Sequence, residues 1–127
     1  MEQISNKSRL VNRATVRFIN FKLKKVLNSI NKDIDYLISG RAANLINNFN
    51  ACYLPINVIN IKIVENDEDK LLKSLKNKNN VRVNNLYPFI VILQYDSFYI
   101  RFDSISKDEL VNTEYEQFDD NLFIECK

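Results

Sequence analysis

The sequence predicts an α+β protein in which two N-terminal helices pack on a small antiparallel sheet that contains a C-terminal β-hairpin. Three patterns support this class. Apolar residues recur at helical spacing over residues 5–50, apolar and polar residues alternate over 57–64, and residues 87–105 have the pattern of a hairpin. A chain of 127 residues fits one domain, so we expect residues 1–127 to form a single α+β domain.

Residues 5–31 are predicted to form the first helix. Apolar residues lie at helical spacing on two faces of this segment, which predicts burial on more than one side. Arg9, Arg13 and Arg17 fall on the remaining strip, one helical turn apart, and Lys24 continues it. The first helix is therefore expected to carry a ridge of basic side chains.

Residues 34–50 follow a turn at 31–33 and are predicted to form the second helix. Its inward face is expected to hold Ile38, Ala42, Leu45, Ile46 and Phe49. The alternative is a shorter helix that starts near Gly40 with Ser39 as its N-cap. Pro55 ends either helix.

Residues 57–64 alternate between apolar and polar side chains and predict a strand. The acidic run 65–69 opens a third helix, whose lysines lie toward its C-terminal end, as the helix dipole favours. A short strand is predicted at 81–83. One helical turn is predicted over 107–112, and a last strand over 121–126.

The segment YPFIVILQYDSFYIRFDSI, residues 87–105, is the clearest local pattern and predicts a β-hairpin that turns at its central Asp-Ser dipeptide. With a two-residue turn, Leu93 lies opposite Ile100 and Val91 lies opposite Phe102. A four-residue loop is the alternative turn.

The composition argues against most catalytic classes. The chain has no histidine, two cysteines (Cys52 and Cys126) that are far apart, and one glycine. It therefore lacks a Ser-His-Asp or Cys-His arrangement, a zinc motif and a glycine-rich phosphate loop. We expect a non-enzymatic protein that needs no cofactor and no metal.

Two further expectations concern the environment of the protein. No apolar run reaches the ~20 residues of a membrane span, and the N-terminus has no signal-peptide pattern. The two cysteines are expected to be reduced, as in a cytosol-like compartment. An intracellular, cytoplasmic location with no membrane partner is the default expectation.

Charge is distributed unevenly along the chain. Residues 1–32 carry a net charge of +7, residues 33–95 a net charge of +1, and residues 96–127 a net charge of −6. Three interpretations are open. The acidic end neutralises the basic end, the basic helix binds a polyanion, or either pole binds an oppositely charged protein.

The interpretation that the sequence favours is binding of a protein partner, as an interaction module, an assembly subunit or an inhibitor. The aromatic-rich hairpin is the expected contact, through Tyr99, Arg101 and Asp103. The alternative is nucleic-acid binding by the basic helix over residues 7–25. That site would use Arg9, Arg13, Arg17, Lys22, Lys24 and Lys25.

A third, less favoured function is metal-dependent cleavage of nucleic acid. The final residues FIECK resemble the strand-borne E-x-K of the PD-(D/E)xK nucleases. The resemblance implies that Glu125 and an upstream aspartate hold a divalent cation and that Lys127 supports the attacking water. Asp103 is the matching aspartate. The chain departs from that family because no helix and strand follow the E-x-K.

Two other short segments resemble known families. KVLNSI with ISGRAANLINNF (residues 25–30 and 38–49) is similar to part of a core histone, although Pro55 falls where the long central helix of a histone would continue. NLYPFIVILQ (residues 85–94) is similar to a strand of the small uracil-DNA glycosylase inhibitors, which are acidic mimics of DNA. The second resemblance implies an inhibitor.

Overall fold

A seven-stranded mixed β-sheet forms the centre of the fold. The computed structural model describes residues 22–40, 42–43, 58–84, 87–95 and 98–126. In chain order the strands are β1 (Tyr36–Ser39), β2 (Val58–Val64), β3 (Val81–Asn84), β4 (Ile90–Gln94), β5 (Tyr99–Ile105), β6 (Tyr115–Asp119) and β7 (Leu122–Glu125). Their order across the sheet is β3-β4-β5-β2-β1-β7-β6.

Two of the six strand pairings are parallel. Strand β2 pairs with β5 in parallel, and β1 pairs with β7 in parallel. The remaining four pairs, β3–β4, β4–β5, β1–β2 and β6–β7, are antiparallel. Among the described residues, β3 and β6 are therefore the outer strands of the sheet.

Three short helices whose bounds lie in the described part of the chain accompany the sheet: α1 (Lys24–Ile30), α2 (Glu68–Ser74) and α3 (Lys107–Val111). A 3₁₀ turn over Glu65–Asp67 leads from β2 into α2. Helices α1 and α2 lie together on one face of the sheet, because Leu27 and Leu71 belong to the same buried cluster as the strand residue Ile61. Asn31, after α1, also donates a hydrogen bond of 3.0 Å to Ser74 in α2.

The expected fold class is wrong in its architecture. The sheet is large, mixed and central to the fold, whereas two N-terminal helices on a small antiparallel sheet were expected. Of the first expected helix, the described part contains α1, and residues 5–21 lie outside the described residues. The protein does combine helices with strands, so the coarser α+β description is confirmed.

The second expected helix is replaced over Tyr36–Ser39 by strand β1. All four residues of this strand are buried, because it lies between β2 and β7 with both of its faces covered. This short run is apolar apart from Ser39 and has no alternation, so its periodicity does not distinguish a buried strand from a buried helix. Ile34 and Asp35, at the start of that expected helix, are not helical, whereas Gly40, Ala42 and Ala43 are, and its other residues lie outside the described residues.

The hairpin prediction is confirmed in its register. Leu93 lies opposite Ile100, and Val91 lies opposite Phe102. All four side chains are buried in the main core, together with Ile61. The strand at 57–64, the helix after the acidic run and the last strand are also present, as β2, α2 and β7. Strand β6, which lies in a polar and weakly periodic stretch, was not predicted.

The two faces of the sheet differ in polarity. One face, which we call the covered face, holds residues such as Ile38, Ile61 and Phe102 and packs on α1 and α2. The other, which we call the open face, holds the alternate residues of the same strands, including Lys62 and Arg101. Helix α3 borders one end of the open face, where Leu110 lines a small cavity.

Candidate interaction surface

The three residues expected to contact a partner lie side by side on β5. Tyr99, Arg101 and Asp103 are alternate residues of one strand, so their side chains all point to the open face. The intervening residues Ile100 and Phe102 are fully buried in the core. Tyr99 is 43% exposed, and the two charged residues are half-buried.

Neighbouring strands extend this row into a patch of nine residues. Strand β4 places Gln94, Ile92 and Ile90 beside the three β5 residues, and strand β2 places Val58, Asn60 and Lys62 on their other side. We call these nine residues the central patch. Its backbone is held on both sides by strand pairing, and helix α3 reaches its edge, where Leu110 and Lys62 line the same small cavity.

Ion pairs organise the charged side chains of this face. The Arg101 guanidinium donates from Nε and Nη2 to Asp103 Oδ1, both at 3.2 Å. Lys62 Nζ donates to Glu125 Oε2 at 3.2 Å and so reaches across β1 to β7. Both pairs are partly solvent-exposed, so they orient their side chains more than they stabilise the fold.

The central patch combines apolar and polar contacts. Val58 and Tyr99 are exposed neighbours at one end, and Ile90 and Ile92 provide a half-buried aliphatic flank. Tyrosine and arginine are the residue types enriched in the energetically important centres of protein interfaces. A rigid sheet surface with this composition is suited to binding a protein surface.

A groove of about 390 Å³ lies at the end of the sheet next to Asp103. The carboxylates of Glu65, Glu68 and Glu109 line it, together with the ring of Tyr87, which is 98% exposed. Glu109 is engaged locally, since its carboxylate accepts a hydrogen bond from the backbone N–H of Ser106. Within the described ranges, no group of three acidic or cysteine side chains is arranged to hold a metal ion.

The two carboxylates implied by the nuclease resemblance lie on the same face but on different strands. Asp103 is on β5 and Glu125 is on β7, with β2 and β1 between them. Three strand spacings of roughly 4.8 Å separate the two strands by about 14 Å. Ligands of one divalent cation lie within 2–3 Å of it, so these two carboxylates are too far apart to share one cation. Lys127 lies outside the described residues.

The basic residues of the first helix are only partly described. Arg9, Arg13 and Arg17 lie outside the described residues. Lys22 and Lys25 are exposed, whereas Lys24 forms an ion pair with Asp119 of β6. A hydrogen bond from Lys24 and one from the Asp120 backbone hold the pKa of Asp119 below its ordinary value.

Of the two cysteines, Cys126 is described and is a free thiol. Burial raises the pKa of the Cys126 thiol, and the nearby carboxylates of Glu116, Glu114 and Glu125 raise it further. Because the thiolate is the nucleophilic form, this environment makes Cys126 a poor nucleophile. Cys52 lies outside the described residues.

The sequence did not identify Asn60 and Lys62 as neighbours of the hairpin. Alternation along residues 57–64 correctly put both on one face, but the parallel pairing of β2 with β5 has no local signal. Arg82, which lies beside Ile92 on the open face, was also not singled out. In the sequence, Arg82 is only a charged residue between two valines of a short predicted strand, which indicates exposure but no role.

Comparisons with protein family models, with curated proteins and with solved structures find no match to this chain. No helix in the described part of the chain has both the length and the apolar character that a membrane span requires. The assignment of the candidate site therefore depends only on the geometry and the chemistry of its residues.

Proposed function

We propose that this protein is a non-enzymatic binding module that recognises a protein partner through the central patch. The observation that supports this function most directly is the placement of Tyr99, Arg101 and Asp103 in one partly exposed row on an interior strand of the sheet.

The geometry favours binding because the patch is already ordered. Both neighbours of β5 are hydrogen-bonded to it along most of its length, so the backbone loses little freedom when a partner binds. Arg101 is held along the strand by Asp103, and its side chain remains 43% exposed to solvent. Tyr99 offers a broad apolar ring with a polar hydroxyl at its edge.

Affinity capture from a native extract tests this function. The bait proteins are the parent, a Tyr99→Ala/Arg101→Glu double variant and a Lys107→Glu control on α3. We expect proteins that the parent and the control retain to be reduced about tenfold or more with the double variant, since a hot-spot residue contributes about 2 kcal/mol or more. Equal recovery with all three baits contradicts a role for the central patch.

A second candidate function is binding of nucleic acid by the basic N-terminal segment. Lys22 and Lys25 are exposed at the start of α1 and support it, whereas the Lys24–Asp119 pair removes one cation from the set. Generic RNA and DNA binding should be measured at low and moderate salt for the parent and for Arg9→Glu/Arg13→Glu/Arg17→Glu. Salt-sensitive binding that the variant loses supports this function, and no binding by the parent at low salt excludes it.

A further inference from the structure

The outer strands β3 and β6 each have one free side in the described structure. Of the seven described strands, β3 pairs with β4 alone and β6 pairs with β7 alone. An outer strand presents backbone N–H and C=O groups to solvent, and these groups can pair with another strand.

A hydrogen bond at the start of β3 shows which of its residues direct their backbone N–H and C=O groups away from β4. The Gln94 N–H donates to the Asn80 carbonyl at 2.9 Å, which makes residues 80 and 94 a hydrogen-bonded pair. In an antiparallel ladder such pairs alternate, so Arg82 and Asn84 also direct their backbone groups toward β4. Val81 and Val83 therefore direct theirs outward, and the Val83 side chain is 49% exposed.

The same argument applies to β6. The Cys126 N–H donates to the Glu114 carbonyl at 2.7 Å, so the backbone of Glu116 also faces β7. The backbone groups of Tyr115 and Gln117 consequently face outward, and Tyr115 is 44% exposed. Each outer strand thus has two outward-facing residues, separated by one charged residue, Arg82 in β3 and Glu116 in β6.

The two edges carry opposite charge. The charged residue of β3 is Arg82, and the segment that leads to it, residues 70–80, holds four lysines and no acidic residue, with Lys70 paired to Asp67. Residues 114–120, which contain β6, hold four acidic residues and no basic residue. Two β3 edges repel one another, and so do two β6 edges, because like charges directly opposite in a ladder are destabilising. A β3 edge and a β6 edge attract.

We propose that a second copy of this chain pairs its β6 antiparallel with β3 of the first and extends the sheet between molecules. In the antiparallel register that matches both outward-facing residues of each strand, Val83 lies opposite Tyr115 and Val81 lies opposite Gln117. Arg82 of one copy then lies opposite Glu116 of the next, as a cross-strand ion pair.

This contact is head-to-tail, because it joins two different edges. Each added copy leaves a free β3 edge at one end and a free β6 edge at the other, so association continues into chains or closes into a ring. The contact is separate from the central patch and does not depend on it.

Charge reversal tests the contact. The size of the purified protein should be measured by sedimentation velocity over a range of concentrations at about 0.05 M and about 0.5 M salt. We expect the parent to associate with rising concentration, more at low salt. Arg82→Glu alone and Glu116→Arg alone should each stay monomeric, since each places like charges across the contact. An equimolar mixture of the two variants should associate again, because opposite charges then face each other at every contact between one variant and the other.

Three further variants complete the test. Val83→Pro removes an outward N–H without removing a bond to β4, and it should also prevent association while circular dichroism shows an intact sheet. Lys107→Glu and Glu65→Arg change the charge by the same amounts away from both edges and should associate like the parent. A parent that is monomeric at all concentrations, association that persists in both reversed variants, or a mixture that fails to associate would each overturn the proposal. None of these results bears on capture of a partner by the central patch.

Discussion

Lys24 and Asp119 join the basic N-terminal part of the chain to its acidic C-terminal part. The pair neutralises one cation of the basic segment, while Lys22 and Lys25 remain exposed. The two ends are therefore in contact at this point, which partly supports the interpretation that they neutralise each other. The edge of β6 keeps Glu114, Glu116 and Asp120 as further carboxylates.

Replacing Asp119 by Asn should lower the free energy of unfolding at pH 7 by about 0.5 kcal/mol, the usual size for a partly exposed pair. The pKa of Asp119 is lower in the folded protein than its ordinary value of 3.8. The stabilisation is therefore present above about pH 4 and is lost as the pH falls through the folded pKa. Urea unfolding at pH 7 and at about pH 2.5 measures it, with Asp120→Asn as the control. A difference between parent and variant that does not shrink at low pH contradicts this assignment.

Cys126 allows a second test on a single residue. Because burial and three nearby carboxylates raise the pKa of its thiol, alkylation should require a higher pH in the folded protein than in the same chain unfolded in urea. The rate with iodoacetamide should be followed against pH in a Cys52→Ala background. Glu116→Gln should move the midpoint of this profile to lower pH. Identical profiles for folded and unfolded chains would contradict the expected shift.

Among the elements, α3 owes its position to a capping box. Ser106 Oγ accepts a hydrogen bond from the Glu109 N–H at 3.1 Å, and Glu109 Oε1 accepts one from the Ser106 N–H at 3.1 Å. Ser106→Ala should lower the free energy of unfolding by about 1 kcal/mol, measured by urea unfolding. Ser106→Asp should keep most of the stability, because aspartate also caps. An alanine variant as stable as the parent would show that α3 contributes nothing to the cooperative unit.

Strands whose residues alternate between apolar and polar were predicted well, and strands without this alternation were not. The register of β4 with β5 follows from alternation and one short turn, so Leu93 and Ile100 could be paired from the sequence. Both faces of strand β1 are buried, including its polar residue Ser39, so no alternation of exposed and buried residues marks it. Strand β6 contains a bulge between Gln117 and Asp119, which interrupts the alternation that would have revealed it.

At the scale of the whole molecule, β2 connects the two parts of the sheet. Ile61 lies opposite Ile38 of β1 and Phe102 of β5, and all three are fully buried. Ile61→Ala should lower the free energy of unfolding by about 3 kcal/mol through lost contacts and the cavity left behind. Val111→Ala, at a side chain that is 82% exposed, should change it by less than about 0.5 kcal/mol. Urea unfolding followed by circular dichroism measures both, and equal losses would contradict the placement of the core.

The candidate site was only partly predictable from the sequence, because alternation shows the face of a side chain but not which distant strand lies beside it. Tyr99, Arg101 and Asp103 could be identified because alternation in one strand puts them on one face. Their neighbours Asn60 and Lys62 come from a strand that is distant in sequence and parallel. The ion pair between Lys62 and Glu125 crosses a third strand and has no signature along the chain.

The amino-acid order alone was enough to show which residues alternate, which residues pair across the hairpin and how charge changes from the N-terminal to the C-terminal part. Those properties depend on side-chain periodicity and on residues close in the chain. The order β3-β4-β5-β2-β1-β7-β6, and with it the composition of the open face, emerges only in the folded structure. Period-two alternation specifies the face on which a side chain lies, but not which strand lies beside it, and that choice depends on packing of the whole sheet.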